Sequence, residues 1–112
     1  MNLNIEEHLY KGAKMETKQI AKTFKVLSDE NRLTILRKLI EGEQCGCTLI
    51  EHLEISQPTL SYHLNVLEQA GLTTSKKEGV WKKHLVNQEV LDQLIEYLQS
   101  LKSITEGCET HE

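Results

Sequence analysis

Aromatic side chains are scarce in this chain of 112 residues: Tyr10, Phe24, Tyr62, Trp81 and Tyr97 are all it has. Aliphatic side chains must therefore build the core. A chain of this length buries only about two-thirds of its unfolded surface, so the core is modest and belongs to one domain. No apolar run approaches the ~20 residues of a membrane span. The N-terminus, MNLNIEEHLYKGAKME, lacks a basic start followed by an apolar stretch. The sequence thus predicts no secretory signal, no membrane partner and a cytoplasmic protein. Cysteine is rare and odd in number, at Cys45, Cys47 and Cys108, which excludes the disulfide framework of a small secreted domain. A Gly-rich phosphate loop, a C-x-x-C redox motif and a nucleophile elbow are all missing, so the expectation is that the chain is not an enzyme.

What is present is mostly helical. Residues 1–18 read as a polar extension that can be helical, with scattered Leu3, Ile5 and Leu9. The folded domain is expected over residues 19–104, with a flexible tail over 105–112. Ile20, Phe24 and Leu27 recur at helical spacing. LSDENRLTILRKLIEGE reads as a complete helix, capped by Ser28 or Asp29 and ended by Gly42, with Leu33, Leu36, Leu39 and Ile40 as its apolar stripe. CTLIEHLEI reads as a short helix with Leu49, Ile50 and Leu53 inward. Ser56 then caps a further helix whose first turn holds Pro58, the sole proline, where a missing N–H costs nothing. Leu60, Leu64 and Leu67 form its stripe and Gly71 closes it. Two helices joined by a few residues, the second well capped, make a helix-turn-helix.

The period then changes. LTTSKKEGVWKKHLV reads as a β-hairpin broken at KKEG. A last helix carries Leu91, Leu94, Leu98 and Leu101 at alternating three and four spacing, with Ile95 and Ile104 beside them. That stripe serves either the helix's own core or a dimer seam.

Net charge is −4, yet between residues 56 and 87 four lysines (Lys76, Lys77, Lys82, Lys83) face two glutamates. Basic charge is concentrated in one segment, and its distribution outweighs the sum. On a helical wheel Pro58, Thr59, Ser61, Tyr62 and Asn65 point away from the leucine stripe. Small hydroxyls, an amide and a phenol can donate to phosphates and base edges. Ser56 and Gln57 stand at the helix N-terminus, where free N–H groups favour phosphate. The sequence predicts double-stranded DNA as partner.

CGCTLIEHLEISQPTLSYHLNVLEQAGLTTSKKEGVWKKHLVN, with LSDENRLTILRKLIEGE before it, resembles the ArsR/SmtB family of metal-sensing winged-helix repressors, in particular its arsenic-type C-x-C members. The resemblance covers roughly residues 20–104, and SQPTLSYHLNVLEQAGL is its most specific part. It implies a mainly helical winged helix-turn-helix with a small β-hairpin, a homodimer, and release from operator DNA by an inducer. The family's recognition-helix positions fall here on Ser56, Gln57, Thr59, Ser61, Tyr62 and His63, with Lys76 and Lys77 at the hairpin turn as phosphate contacts. Arsenical members typically carry two histidines after the serine; this chain has Tyr62 and His63.

Cys45 and Cys47 match the family's C-x-C at the start of the helix before the recognition helix. As(III), Sb(III), Cd(II) and Pb(II) favour thiolate sulfur. On a regular helix residues i and i+2 diverge by about 200°, so the two sulfurs converge only where the helix has frayed or not begun. Gly46 between them makes that easy. Many arsenic-type members have a third cysteine three residues on; this chain has Ile50 there. Cys108 is either the third ligand, from a tail that reaches the pair, or a free thiol. The family's Zn(II) site on the last helix falls on Asn87, Glu89, Ser100 and Ser103, which would not form it. The expected function is a repressor released by As(III) or Sb(III), or by Cd(II) or Pb(II). The alternatives are an oxidant- or persulfide-sensing repressor on the same scaffold, and a protein-interaction module without DNA binding.

Overall fold

The computed structural model describes residues 14–109, with side chains to residue 102. The chain divides into two compact units, Glu16–Asn87 and one formed by the chain's two ends.

In the first unit α1 (Thr17–Leu27) buries Ile20 and Thr23. Helix α2 (Glu30–Ile40) starts at Asp29, whose carboxylate accepts from the Asn31 and Arg32 amides at 2.8 and 3.2 Å. Burial disfavours the Asp29 charge. The two amides and the Arg32 guanidinium outweigh it and hold the carboxyl below its usual range. The buried i, i+4 pair of α2 is Ile35 and Leu39. This corrects the predicted stripe: Leu33 and Ile40 are exposed, at 51% and 57%. With the inner face set by Ile35 and Leu39, residues 33 and 40 are rotated well off it.

A short helix α3 (Gly46–Leu49) runs into a 3₁₀ turn (Ile50–His52), with Leu49 fully buried. Helix α4 (Gln57–Gln69) follows. Ser56 caps it by accepting from the Thr59 amide at 3.3 Å, Pro58 lies in its first turn, and Leu60, Leu64 and Leu67 are buried as expected. Strands β1 (Thr73–Glu78) and β2 (Trp81–Val86) form an antiparallel hairpin. Gly79, at φ 63°, takes the first central position of its two-residue turn, where a type II′ turn needs glycine. Thr73 and His84 are buried, so alternation puts Ser75, Lys77 and Lys82 on their side of the hairpin. Thr74, Lys76, Glu78, Trp81, Lys83 and Leu85 lie on the other. The order of elements is that of a winged helix-turn-helix.

In the second unit Gln88–Glu109 form helix α5, so the tail predicted from residue 105 begins inside a helix. Val90 and Leu94 are buried, while Ile95, Leu98 and Leu101 are exposed. The Met15 amide donates to Gln93 Oε1 at 2.6 Å. No helix among the described residues is long and apolar enough to cross a membrane.

Candidate functional site

Helix α4 and the hairpin supply one face. Gln57, Pro58, Ser61, Tyr62 and Asn65 are exposed on α4, with Tyr62 at 60%. Thr59 is half-buried, and the Ser56 hydroxyl donates to Thr59 Oγ1 at 2.9 Å, which leaves the Thr59 hydroxyl free to donate outward. His63 departs from the expected set. It is only 6% exposed, and its Nδ1 accepts from Arg32 Nη1 at 3.1 Å. Three residues after Leu60, it lies on the helix's inner side and joins α4 to α2.

The hairpin's four lysines face one another in register, Lys76 with Lys83 and Lys77 with Lys82. Like charges directly opposite on a sheet repel. Among the described residues Lys83 alone of the four has a carboxylate partner, Glu78, at 3.3 Å. Lys82 shares a small cavity with Ser61, Asn65 and Glu68 of α4, and Glu68 also accepts from the Ser75 hydroxyl at 2.9 Å. Lys77 and Lys82 thus continue the α4 face, whereas Lys76 lies on the opposite side of the hairpin. Lys82, counted in the basic segment, was not among the expected phosphate contacts; its pairing with Lys77 across the two-residue turn is what puts it on this face. His84 is buried beneath Lys82, and its Nδ1 has no hydrogen-bond partner among the described residues. Burial lowers its pKa and the Lys82 charge adds to this, with Glu68 opposing.

The thiols lie on the other side of the hairpin. Cys45 is extended (φ −104°, ψ 138°) and precedes α3 as its N-cap, while Cys47 is in the helix. The convergence expected of an unstarted helix is thus realised. The two sulfurs are paired as a disulfide across a Cα–Cα distance of 5.3 Å, and Cys45 Sγ accepts from the Cys47 amide at 3.3 Å. Around them is an open pocket of ≈ 520 Å³ whose walls include Thr48, Glu78, Trp81 and Lys83. Backbone ties hold the segment to β2. Cys45 and Lys83 form an antiparallel bridge, and the His84 amide donates to the Gln44 carbonyl at 2.9 Å. No cluster of three or more His, Cys, Asp or Glu placed to hold a metal occurs among the described residues. The side chain of Cys108, and with it the proposed third ligand, lies outside those described.

Two soft donors on one side of a chain segment suit a thiophilic element, and the basic face suits a polyanion. Residues 29–75 match the model described as bacterial regulatory protein, arsR family. Over 94 residues the chain is 40% identical to an arsenical resistance operon repressor of Staphylococcus xylosus, covering 84% of this chain and 90% of that one. Among solved structures, an ArsR-like transcriptional regulator from Rhodococcus sp. RHA1 superposes with a TM-score of 0.76 at 26% identity, covering 84% and 89% of the two chains. A homodimeric winged helix-turn-helix DNA-binding domain from Mycobacterium bovis gives 0.62 at 26% identity, covering 77% and 80%.

Proposed function

Because the chain belongs to the arsR family of bacterial regulatory proteins, it is a transcriptional regulator and not an enzyme, and we propose that a thiophilic metalloid or metal bound by Cys45 and Cys47 releases it from operator DNA. As(III) and Sb(III) are the favoured inducers, with Cd(II) and Pb(II) next. The observation that carries this reading is the convergence of the two sulfurs on a segment bridged to the wing.

The residues divide the work. Gln57, Thr59, Ser61, Tyr62 and Asn65 read bases and sugar-phosphate from the exposed side of α4, with Ser56 holding the helix start. Lys77 and Lys82 neutralise phosphate, which also relieves their mutual repulsion. Ile95, Leu98 and Leu101 on α5 offer an apolar stripe for a second copy, supporting a homodimer with its recognition helices about one DNA turn apart, ~34 Å. Loading of the thiols alters the backbone at Gln44–Cys45, and the bridge to Lys83 passes that change to the wing. A coupling of ~3 kcal/mol would lower DNA affinity roughly a hundredfold.

A second reading, oxidation of the same thiols, is favoured by one observation: the sulfurs are bonded to each other in this structure.

One experiment separates the readings. The reduced protein is bound to a labelled duplex from upstream of its own gene, and release is followed by anisotropy against As(III), Sb(III), Cd(II), Pb(II) and peroxide in parallel. Release by metalloid and not by peroxide, lost in Cys45→Ser/Cys47→Ser while DNA binding persists, is the expected result. Normal release from that double variant removes the reading. Absence of DNA binding in every condition leaves a protein-interaction module.

A further inference from the structure

The pocket beside the thiols is far larger than an ion. Its volume of ≈ 520 Å³ falls in the roughly 300–1,000 Å³ range of small-molecule sites. Trp81, 57% exposed, forms part of its wall, as do Glu78 and Lys83. An indole is a large apolar surface to leave open, and it stands here beside two soft nucleophiles.

Valence narrows the ligand. Trivalent arsenic makes three bonds, and two sulfurs converge here among the described residues. Inorganic As(III) therefore needs a third donor, whereas an arsenic that already carries one carbon is complete with two. We propose that the pocket is a site for a monosubstituted organic arsenical, R–As(OH)₂, whose aryl or alkyl group packs against Trp81. The proposal rests on the reading of Cys45 and Cys47 as metalloid ligands. In the binding step two S–H and two As–OH bonds break, two As–S bonds form, and two waters leave. Arsenic stays trivalent and both sulfurs keep the oxidation level of a thiol.

Trp81 is the chain's one tryptophan, so its emission reports occupancy. The reduced full-length protein is titrated with phenylarsine oxide, which hydrates to the aryl form of this ligand, and separately with arsenite. Tryptophan emission and DNA release are both read. We expect one phenylarsine per chain, a change in emission, and release at roughly tenfold lower concentration than arsenite. The preference should hold in wild type and in Cys108→Ser alike. In Trp81→Ala, followed by DNA release, it should shrink towards parity, and Trp81→Phe should keep it. Arsenite acting at equal or lower concentration, or a preference undiminished in Trp81→Ala, overturns the proposal and leaves the metalloid reading intact. Release by neither compound, or undiminished release from Cys45→Ser/Cys47→Ser, removes both.

Discussion

Cys45 and Lys83 are paired backbone to backbone, so the thiol segment acts as a one-rung third strand on the wing. A sensor placed one helix ahead of α4 would be expected to act on α4 through side-chain packing. The bridge gives it a shorter route, through hydrogen bonds to the strand that carries Lys82.

The hairpin faces separate the lysines. Lys77→Ala and Lys82→Ala should each weaken binding to all DNA sequences and flatten the plot of log K against log salt by about one. Lys76→Ala, on the far face, should change the slope less. Salt titrations of the three variants check this, and an equal effect at Lys76 would contradict the assigned faces.

His63 should matter to folding more than to base discrimination. His63→Ala leaves a gap and strips the Arg32 guanidinium of a partner held at 3.1 Å. A loss of about 2 kcal/mol in urea unfolding is expected. At a temperature where the variant is folded, its ratio of operator to random-DNA affinity should stay near that of wild type.

Hydrogen exchange can watch the bridge directly. The His84 amide, bonded to the Gln44 carbonyl, should exchange faster once Cys45 and Cys47 are loaded. The Asn87 amide, which donates to the Leu72 carbonyl at 2.8 Å, serves as the reference and should not change. Equal protection of His84 with and without As(III) would place the signal elsewhere.

Stability should fall with acid in two stages. Burial, reinforced by Lys82, lowers the His84 pKa, so the unfolded chain binds its proton more readily. Stability is therefore lost as pH drops below about 6.5, the ordinary histidine value. Asp29, held below the usual range by its backbone and Arg32 partners despite burial, adds a second loss below about pH 4. His84→Leu also removes a buried nitrogen that has no hydrogen-bond partner among the described residues. It should abolish the first stage and leave the second, as read by denaturation midpoints at successive pH values.

Local chemistry was legible in the sequence where one residue decides it. Asp29, Ser56, Pro58 and Gly71 place helix ends through caps and a missing N–H, and KKEG marks the hairpin. The α2 stripe was not, because counting leucines there ignores which rotation of the helix meets α4. Ile35 is buried and Leu33 is not, and only the packed neighbours decide between them. His63 entered the expected DNA-contacting set only through the family resemblance, although its spacing from Leu60 already put it inside. The tie between Gln44–Cys45 and Lys83–His84 joins residues about forty apart, and no local pattern announces such a pairing. Trp81 entered the thiol pocket by the same route.

A two-stranded hairpin has two bare edges, and bare edges invite pairing with other chains. In this protein the stretch at Gln44–Cys45 occupies part of one of them, the outer edge of β2. If loading of the thiols loosens that stretch, the molecule that leaves DNA is also the one with an unguarded strand. Solubility and signalling then draw on the same hydrogen bonds, and the cationic side chains along the hairpin act as its remaining defence against self-association.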